Sequence, residues 1–445
     1  MSMAIGIIGL LLGVAILIIF SFMGFAAVPT TMLGAAIVCI FNGINVWTGF
    51  SESWIGGLVG VLTAYYILFF ASSVFANIME ATGACTSIAY KFLQWFGRKH
   101  IMTVICLLAF VLCYGGVSFF VIMFALGPIM EALYSELNIP RKLMILPTAA
   151  GCGAWVLAAP GSTQLSNVIP TALGTNLMAA PVLGFIILVV GMACEIWYCE
   201  HTYKKEMAIY AQTGEGYQEK PGSKYVLRKE EDCPNAITAF IPIIVLVAMI
   251  VIGSFASWFE SATFLATLAM CVGCILCLLL NFKFLQGSKL SIIKDLLGRG
   301  ATGAAGSALA LGAIVGFGTV VSGTAAFASL TEWLMGLDLS VYWKGVISTG
   351  VLAGVCGSAS SGAKLVMQYL GDYFVQSGCN LQILHRLIAN ASITFDSLPH
   401  ATGCFLMFAY YGTNHKSAYK YVFMTDTLFP LIITVIATII CSILF

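Results

Sequence analysis

The sequence predicts an all-α polytopic membrane protein whose transmembrane helices are interrupted, and three observations predict it. The 445 residues are 60% hydrophobic and only 9% charged, against roughly 25% charged in an average soluble domain. Apolar stretches long enough to cross a bilayer core of roughly 30 Å recur along the chain. Helix breakers also sit beside uncharged polar side chains inside apolar segments, most plainly in the run from Ala158 to Asn167, Ala-Ala-Pro-Gly-Ser-Thr-Gln-Leu-Ser-Asn. Lipid cannot hydrogen-bond an interrupted backbone, so such breaks persist only where protein or a water-filled cavity satisfies them.

Taken in order, the first apolar stretch, Ile5–Phe20 with the residues just after it, lacks a basic leader and a convincing cleavage site. It reads as a retained helix and not a signal peptide. Ala236–Phe255, Phe264–Leu280 and Tyr421–Phe445 are further examples, and about ten to twelve crossings or half-crossings are expected in all. Thirteen of the 39 charged residues fall within Glu200–Asp232. This hydrophilic connector, residues 201–234, divides an N-terminal membrane repeat (1–200) from a C-terminal one (235–445). Its six Lys/Arg, with basic residues near Arg98, Arg141 and Arg299, place these loops on the cytoplasmic side. The net charge of +1 offers no basic field for nucleic acid. The 15 cysteines are scattered without a CxxC pair; they read as small apolar packing residues, with no metal site and no cofactor expected.

The halves echo each other. Ala172-Leu-Gly-Thr-Asn176 matches Tyr410-Tyr-Gly-Thr-Asn414, Pro160 pairs with Pro399, and Tyr114-Gly-Gly-Val-Ser118 faces Cys356-Gly-Ser-Ala-Ser360. Several short matches in one order indicate an internal repeat. Four polar breaks follow: 114–120, 160–167, 357–364 and 394–400. Discontinuous segments of this kind build substrate and ion sites in secondary transporters. Gly/Ser tips suit re-entrant hairpins, whose hydroxyls and freed amides hold a carboxylate without a fixed charge; the competing use of such residues is close helix packing. Ser118, Ser162, Thr163, Gln164, Asn167, Ser358, Ser360 and Ser361 are the candidate substrate-binding residues.

Charges inside apolar segments are costly and mark function or a fixed partner. Lys364 follows the third tip; it either meets a substrate carboxylate, pairs with Asp372 or Asp396, or snorkels to an interface. Asp396 and His400 flank Pro399 and form the candidate proton-coupling pair, the structural alternative being a helix cap and a satisfied histidine. His385-Arg386 and His415-Lys416 lie near predicted helix ends, where loop or interface roles are expected.

At these residues the chain resembles the gluconate permease family, including its short-chain hydroxycarboxylate permease branch, within the broader ion-transporter superfamily. The resemblance rests on the runs 160–170, 174–184, 357–362, 384–386, 396–400 and 415–419, in that order. It implies a proton-coupled symporter of a small organic monocarboxylate such as gluconate or 3-hydroxybutyrate, in the inner (cytoplasmic) membrane. It also implies two inverted repeats with re-entrant hairpins, a scaffold and a mobile transport domain, an elevator-like cycle and a homodimer. Ser361, Lys364 and Ala401-Thr402 depart from the family pattern. A sodium-coupled carboxylate symporter or a cation/proton antiporter on the same fold is the alternative. An enzyme would need a nucleophile–base pair or a metal constellation, and neither HExxH nor GxSxG occurs.

Overall fold

The computed structural model describes residues 3–445 except 116, 162–167, 221–227, 257 and 260. Among the described residues the protein is all-α. The N-terminal half runs α1 (Met3–Phe22), α2 (Ala27–Asn42), α3 (Val46–Thr48), α4 (Ile55–Thr82), α5 (Ala84–Phe96), α6 (Ile101–Tyr114), α7 (Phe119–Glu136), α8 (Ile145–Cys152), α9 (Ala154–Ala158), α10 (Val168–Leu173) and α11 (Pro181–Thr213). The C-terminal half runs α12 (Ala236–Phe255), α13 (Ala262–Asn281), α14 (Lys289–Ser322), α15 (Ala325–Met335), α16 (Val341–Cys356), α17 (Ala359–Gln376), α18 (Leu381–Ser392), α19 (Thr402–Tyr411), α20 (His415–Val422) and α21 (Phe429–Leu444). Two π-helical turns, Gly49–Trp54 and Phe423–Leu428, join α3 to α4 and α20 to α21.

Among the described residues, eight helical runs are long and apolar enough to cross a membrane, and a ninth counts if α5 and α6, bent by 112° at their junction, act as one. Two shorter apolar helices, α2 and α16, add to these. The chain is therefore a multi-pass membrane protein. Its first and last spans leave many large apolar side chains exposed, among them Leu11, Ile19, Ile436 and Ile443. Such surface is what lipid, not water, accommodates.

The long helices α4 and α14 pack along each other through small residues. A Cβ at Gly57 would lie 2.7 Å from the Gly316 Cα, so the helices cross with backbones nearly touching, as lipid-embedded helices do when no bulky side chain intervenes. α16 and α17 form a tight helical hairpin. Its tip is only Gly357 and Ser358, and Gly357 takes φ +59°, a left-handed turn that favours glycine.

The connector differs from its sequence outline. α11 continues to Thr213, so its first thirteen residues are helical. The next stretch docks on both halves. Arg141 pairs with Glu131 and donates to the Gln218 carbonyl at 2.6 Å and the Tyr217 hydroxyl at 2.8 Å. Lys220 donates to the Tyr410 carbonyl at 2.7 Å. Farther on, Arg228 reaches the carbonyls of Ala81 and Phe284.

Candidate functional site

Several helix ends and interruptions converge on one cavity of about 210 Å³. α7 contributes its first residues, Phe119 and Phe120. The α8–α9 junction contributes Cys152 and Gly153, and the hairpin tip contributes Ser358 and Ser360. The irregular segment between α18 and α19 contributes Asp396 and Ser397, α19 adds Thr402, and the second π turn adds Asp426. The volume lies below the roughly 300–1,000 Å³ of pockets for drug-sized ligands, which suits a small solute.

Polar groups at this junction are held by specific partners. The Ser358 hydroxyl accepts from the Ser361 amide at 3.4 Å and caps α17. Asp396 accepts from the Ser397 hydroxyl at 3.0 Å. Asp426 is 4% exposed and accepts from Thr425 Oγ1 at 2.8 Å. It lies directly over Gly153, where any Cβ would overlap its carboxylate. Among the described residues, two carboxylates line this cavity and no lysine or arginine does.

Two histidines brace the broken segment from behind. His400 Nε2 lies 2.8 Å from the Gly354 carbonyl and His415 Nε2 lies 2.7 Å from the Pro399 carbonyl. A carbonyl only accepts, so each Nε2 carries the hydrogen. His400 Nδ1 is then left with a buried lone pair and no partner among the described residues. His415 is enclosed by Phe405 and Phe408, with ring centroids 4.6 and 4.7 Å away.

Of the residues expected from sequence, Ser358, Ser360 and Asp396 line the cavity. Ser118 stands just before α7, one residue before the lining begins, without a capping bond, and its hydroxyl is buried without a partner among the described residues. Ser162, Thr163, Gln164 and Asn167 lie outside the described residues. Lys364 is exposed and does not line the cavity. α17 turns Ala363, Val366 and Met367 inward, so Ser361, Lys364, Gln368 and Asp372 share its exposed face. At spacings of three and four residues they form one polar stripe, and Ser360 at its head belongs to the cavity wall.

The sequence leaves Asp426 unmarked and suggests only a loop or interface role for Arg386. Asp426 is an acid inside the last apolar stretch, and the rule that picked out Lys364 applies to it equally. Arg386 is 1% exposed and donates to the carbonyls of Ala158, Leu177 and Ala179. Ala158 precedes the Pro160 break, and the Leu177 carbonyl also accepts from the Gly161 amide at 2.9 Å; the guanidinium's fork of N–H groups thus ties the break to the segment before α11. Tyr114 secures the same break by donating to the Pro160 carbonyl at 2.8 Å.

The site is thus a mainly apolar cavity carrying two carboxylates and several hydroxyls at the meeting point of broken helices, and the chain matches the model of the GntP family permeases over residues 1–444. The chain belongs to the GntP permease family. It is also 27% identical to an uncharacterized transporter, YxjC, of Bacillus subtilis (strain 168), over 93% of this chain and 94% of that protein. Membership in the GntP permeases makes this protein a secondary transporter for an organic acid and not an enzyme. Among the described residues no group of three or more His, Cys, Asp and Glu could hold a metal ion.

Proposed function

We propose that this permease takes up a small hydroxylated monocarboxylate together with protons. The observation that carries the reading is the charge of the cavity: Asp396 and Asp426 line it with Ser358, Ser360, Ser397 and Thr402, and no described cation joins them. An organic anion cannot share a small, poorly hydrated space with two carboxylates unless positive charge enters with it, because like charges there repel strongly. Protonation of the acids supplies that charge, and the hydroxyls then bind a carboxylate and its neighbouring hydroxyl. Ser118, beside the cavity, and the 162–167 segment complete the proposed binding set. His400, with its free Nδ1, is proposed to sense the proton behind the hairpin tip. Lys364 is proposed to gather anions along the α17 stripe toward the cavity.

The order of elements supports two repeats. Two packed apolar helices, one long helix, a helix pair, a hairpin arm and a broken segment occur in each half, from α1 to α11 and from α12 to α21. We propose that the repeats are inverted, that the α4–α14 pair belongs to a scaffold, and that the cavity travels with a transport domain in an elevator-like cycle. The boundaries 1–200 and 235–445, a homodimeric assembly and the inner (cytoplasmic) membrane belong to the same proposal.

Carboxylates beside hydroxyls also suit Na⁺, so sodium symport is the second reading. Uptake of labelled gluconate and 3-hydroxybutyrate into proteoliposomes decides between them. Accumulation driven by an inward proton gradient without sodium, and abolished by a protonophore, is the expected result. Accumulation only on adding sodium would replace protons with Na⁺. No uptake of either acid under both conditions would overturn the proposed substrate.

A further inference from the structure

Behind the cavity lies a third acid, one that the proposed site does not use. Glu195, in the middle of α11, is fully buried. Trp155 Nε1 donates to its Oε1 at 2.8 Å. Its Oε2 is buried with no hydrogen-bond partner among the described residues. Trp155 stands two residues beyond Gly153, the residue over which Asp426 lies. Gly153 meets the Asp426 carboxylate and Trp155 meets the Glu195 carboxylate, so the start of α9 joins the cavity acid to the hidden one.

The groups that face Glu195 are Asp426 from the π turn, Cys106 from α6, Trp155 from α9, and Cys194, Tyr198 and Cys199 from α11 itself. Among the described residues no lysine or arginine stands with them. Arg386 of α18 meets α11 at Gly184, about 16 Å away along the helix at ~1.5 Å per residue. A buried carboxylate in a membrane protein needs a partner or a function. The indole satisfies one oxygen and fixes the side chain, and the other oxygen is left to a proton.

We infer that Glu195 is a proton-binding site of the transport cycle, exchanging its proton with the cavity through Asp426. The inference rests on the proton-symport reading above. In the step, an O–H bond forms at Glu195 Oε2 as one breaks at the Asp426 carboxyl, and the reverse occurs on release; nothing is oxidised or reduced. Glu195 touches no cavity surface, so it acts on the substrate only through Asp426.

The test uses full-length protein in proteoliposomes and the variant Glu195→Gln, which keeps an acceptor for Trp155 and cannot be protonated in this range. Two readouts are compared: accumulation driven by a proton gradient, and counterflow exchange at equal pH on both sides. The expected result is loss of accumulation to the level seen with a protonophore, with exchange retained. A merely structural role would lower both together, and wild-type accumulation in the variant would overturn the inference. Wild-type protein that fails to accumulate substrate on a proton gradient would instead overturn the symport reading itself. Should Glu195→Gln not fold, Trp155→Phe leaves the acid in place and removes its fixed donor. A shifted pH profile for uptake is then expected, and an unchanged profile would overturn the proposal.

Discussion

Gly153→Ala probes the site with a single methyl group. A Cβ at 153 would overlap the Asp426 carboxylate, lying 2.8 Å from its Cγ and 2.5 Å from the Ala149 carbonyl oxygen, where real Cβ atoms stay beyond 3.0 Å. Neither obstacle yields easily. The Ala149 oxygen is backbone of α8, and Asp426 is held by Thr425 on a buried π turn. Overpacking of this kind typically costs about 1–3 kcal/mol. If that falls on the arrangement that presents Asp426 to the cavity, substrate affinity drops roughly 5–150-fold. The assay is uptake affinity in proteoliposomes beside a thermal-unfolding scan in detergent. A double-mutant cycle with Asp426→Ala isolates the shared part: the two changes should be non-additive by about 0.5–3 kcal/mol, as for residues in contact. Wild-type affinity and stability in Gly153→Ala would refute the packing of Asp426 over this glycine, and with it the placement of that acid in the cavity.

Two other substitutions separate support from binding. Arg386→Gln should destabilise the protein by about 1–3 kcal/mol for each buried carbonyl left unsatisfied, because the Ala158 and Ala179 carbonyls lose the guanidinium while Leu177 keeps the Gly161 amide; the check is detergent-solubilised thermal stability, and an unchanged melting temperature would remove Arg386 from the framework. Lys364→Ala should weaken uptake affinity at low ionic strength and converge on wild type at high salt, since an exposed charge is screened within about 8–10 Å. An affinity loss that ignores salt would mean that Lys364 touches the substrate directly.

The membrane class and the breaks were legible because hydrophobic length and helix-breaking residues act locally. Pro160, Gly357 and Pro399 each mark a place where the helix ends in the structure or stays broken. Ser358, Ser360 and Asp396 were legible for the same reason: a polar residue at a break has few structural uses in lipid. Lys364 shows the limit of that rule. Its neighbours Leu365, Val366 and Met367 look like burial in sequence, but helical geometry puts Val366 and Met367 on the inner face and leaves Lys364 on the exposed one. Asp426 and Arg386 were missed for opposite reasons. Asp426 hid within a stretch counted as uniformly apolar. Arg386 sat near a predicted helix end, and its role depends on carbonyls more than 200 residues away in the chain, a separation that no local pattern encodes.

The histidines carry this argument one step further. From sequence, His400 and His415 differ: one stands beside an acid in a break, the other beside a lysine at a helix end. In the fold they do the same thing, each giving an Nε2 hydrogen to a backbone carbonyl at a helix interruption, Gly354 in the last turn of α16 before the hairpin tip and Pro399 inside the break. A backbone interrupted in the membrane must recruit donors, and both rings are recruited. They differ in what remains. The ring of His415 is packed among aromatic side chains, whereas His400 keeps a buried Nδ1 lone pair with no described partner, next to the tip that carries Ser358. Bracing therefore accounts for His415 in full and for only half of His400, and the unassigned half lies where the hairpin meets the cavity.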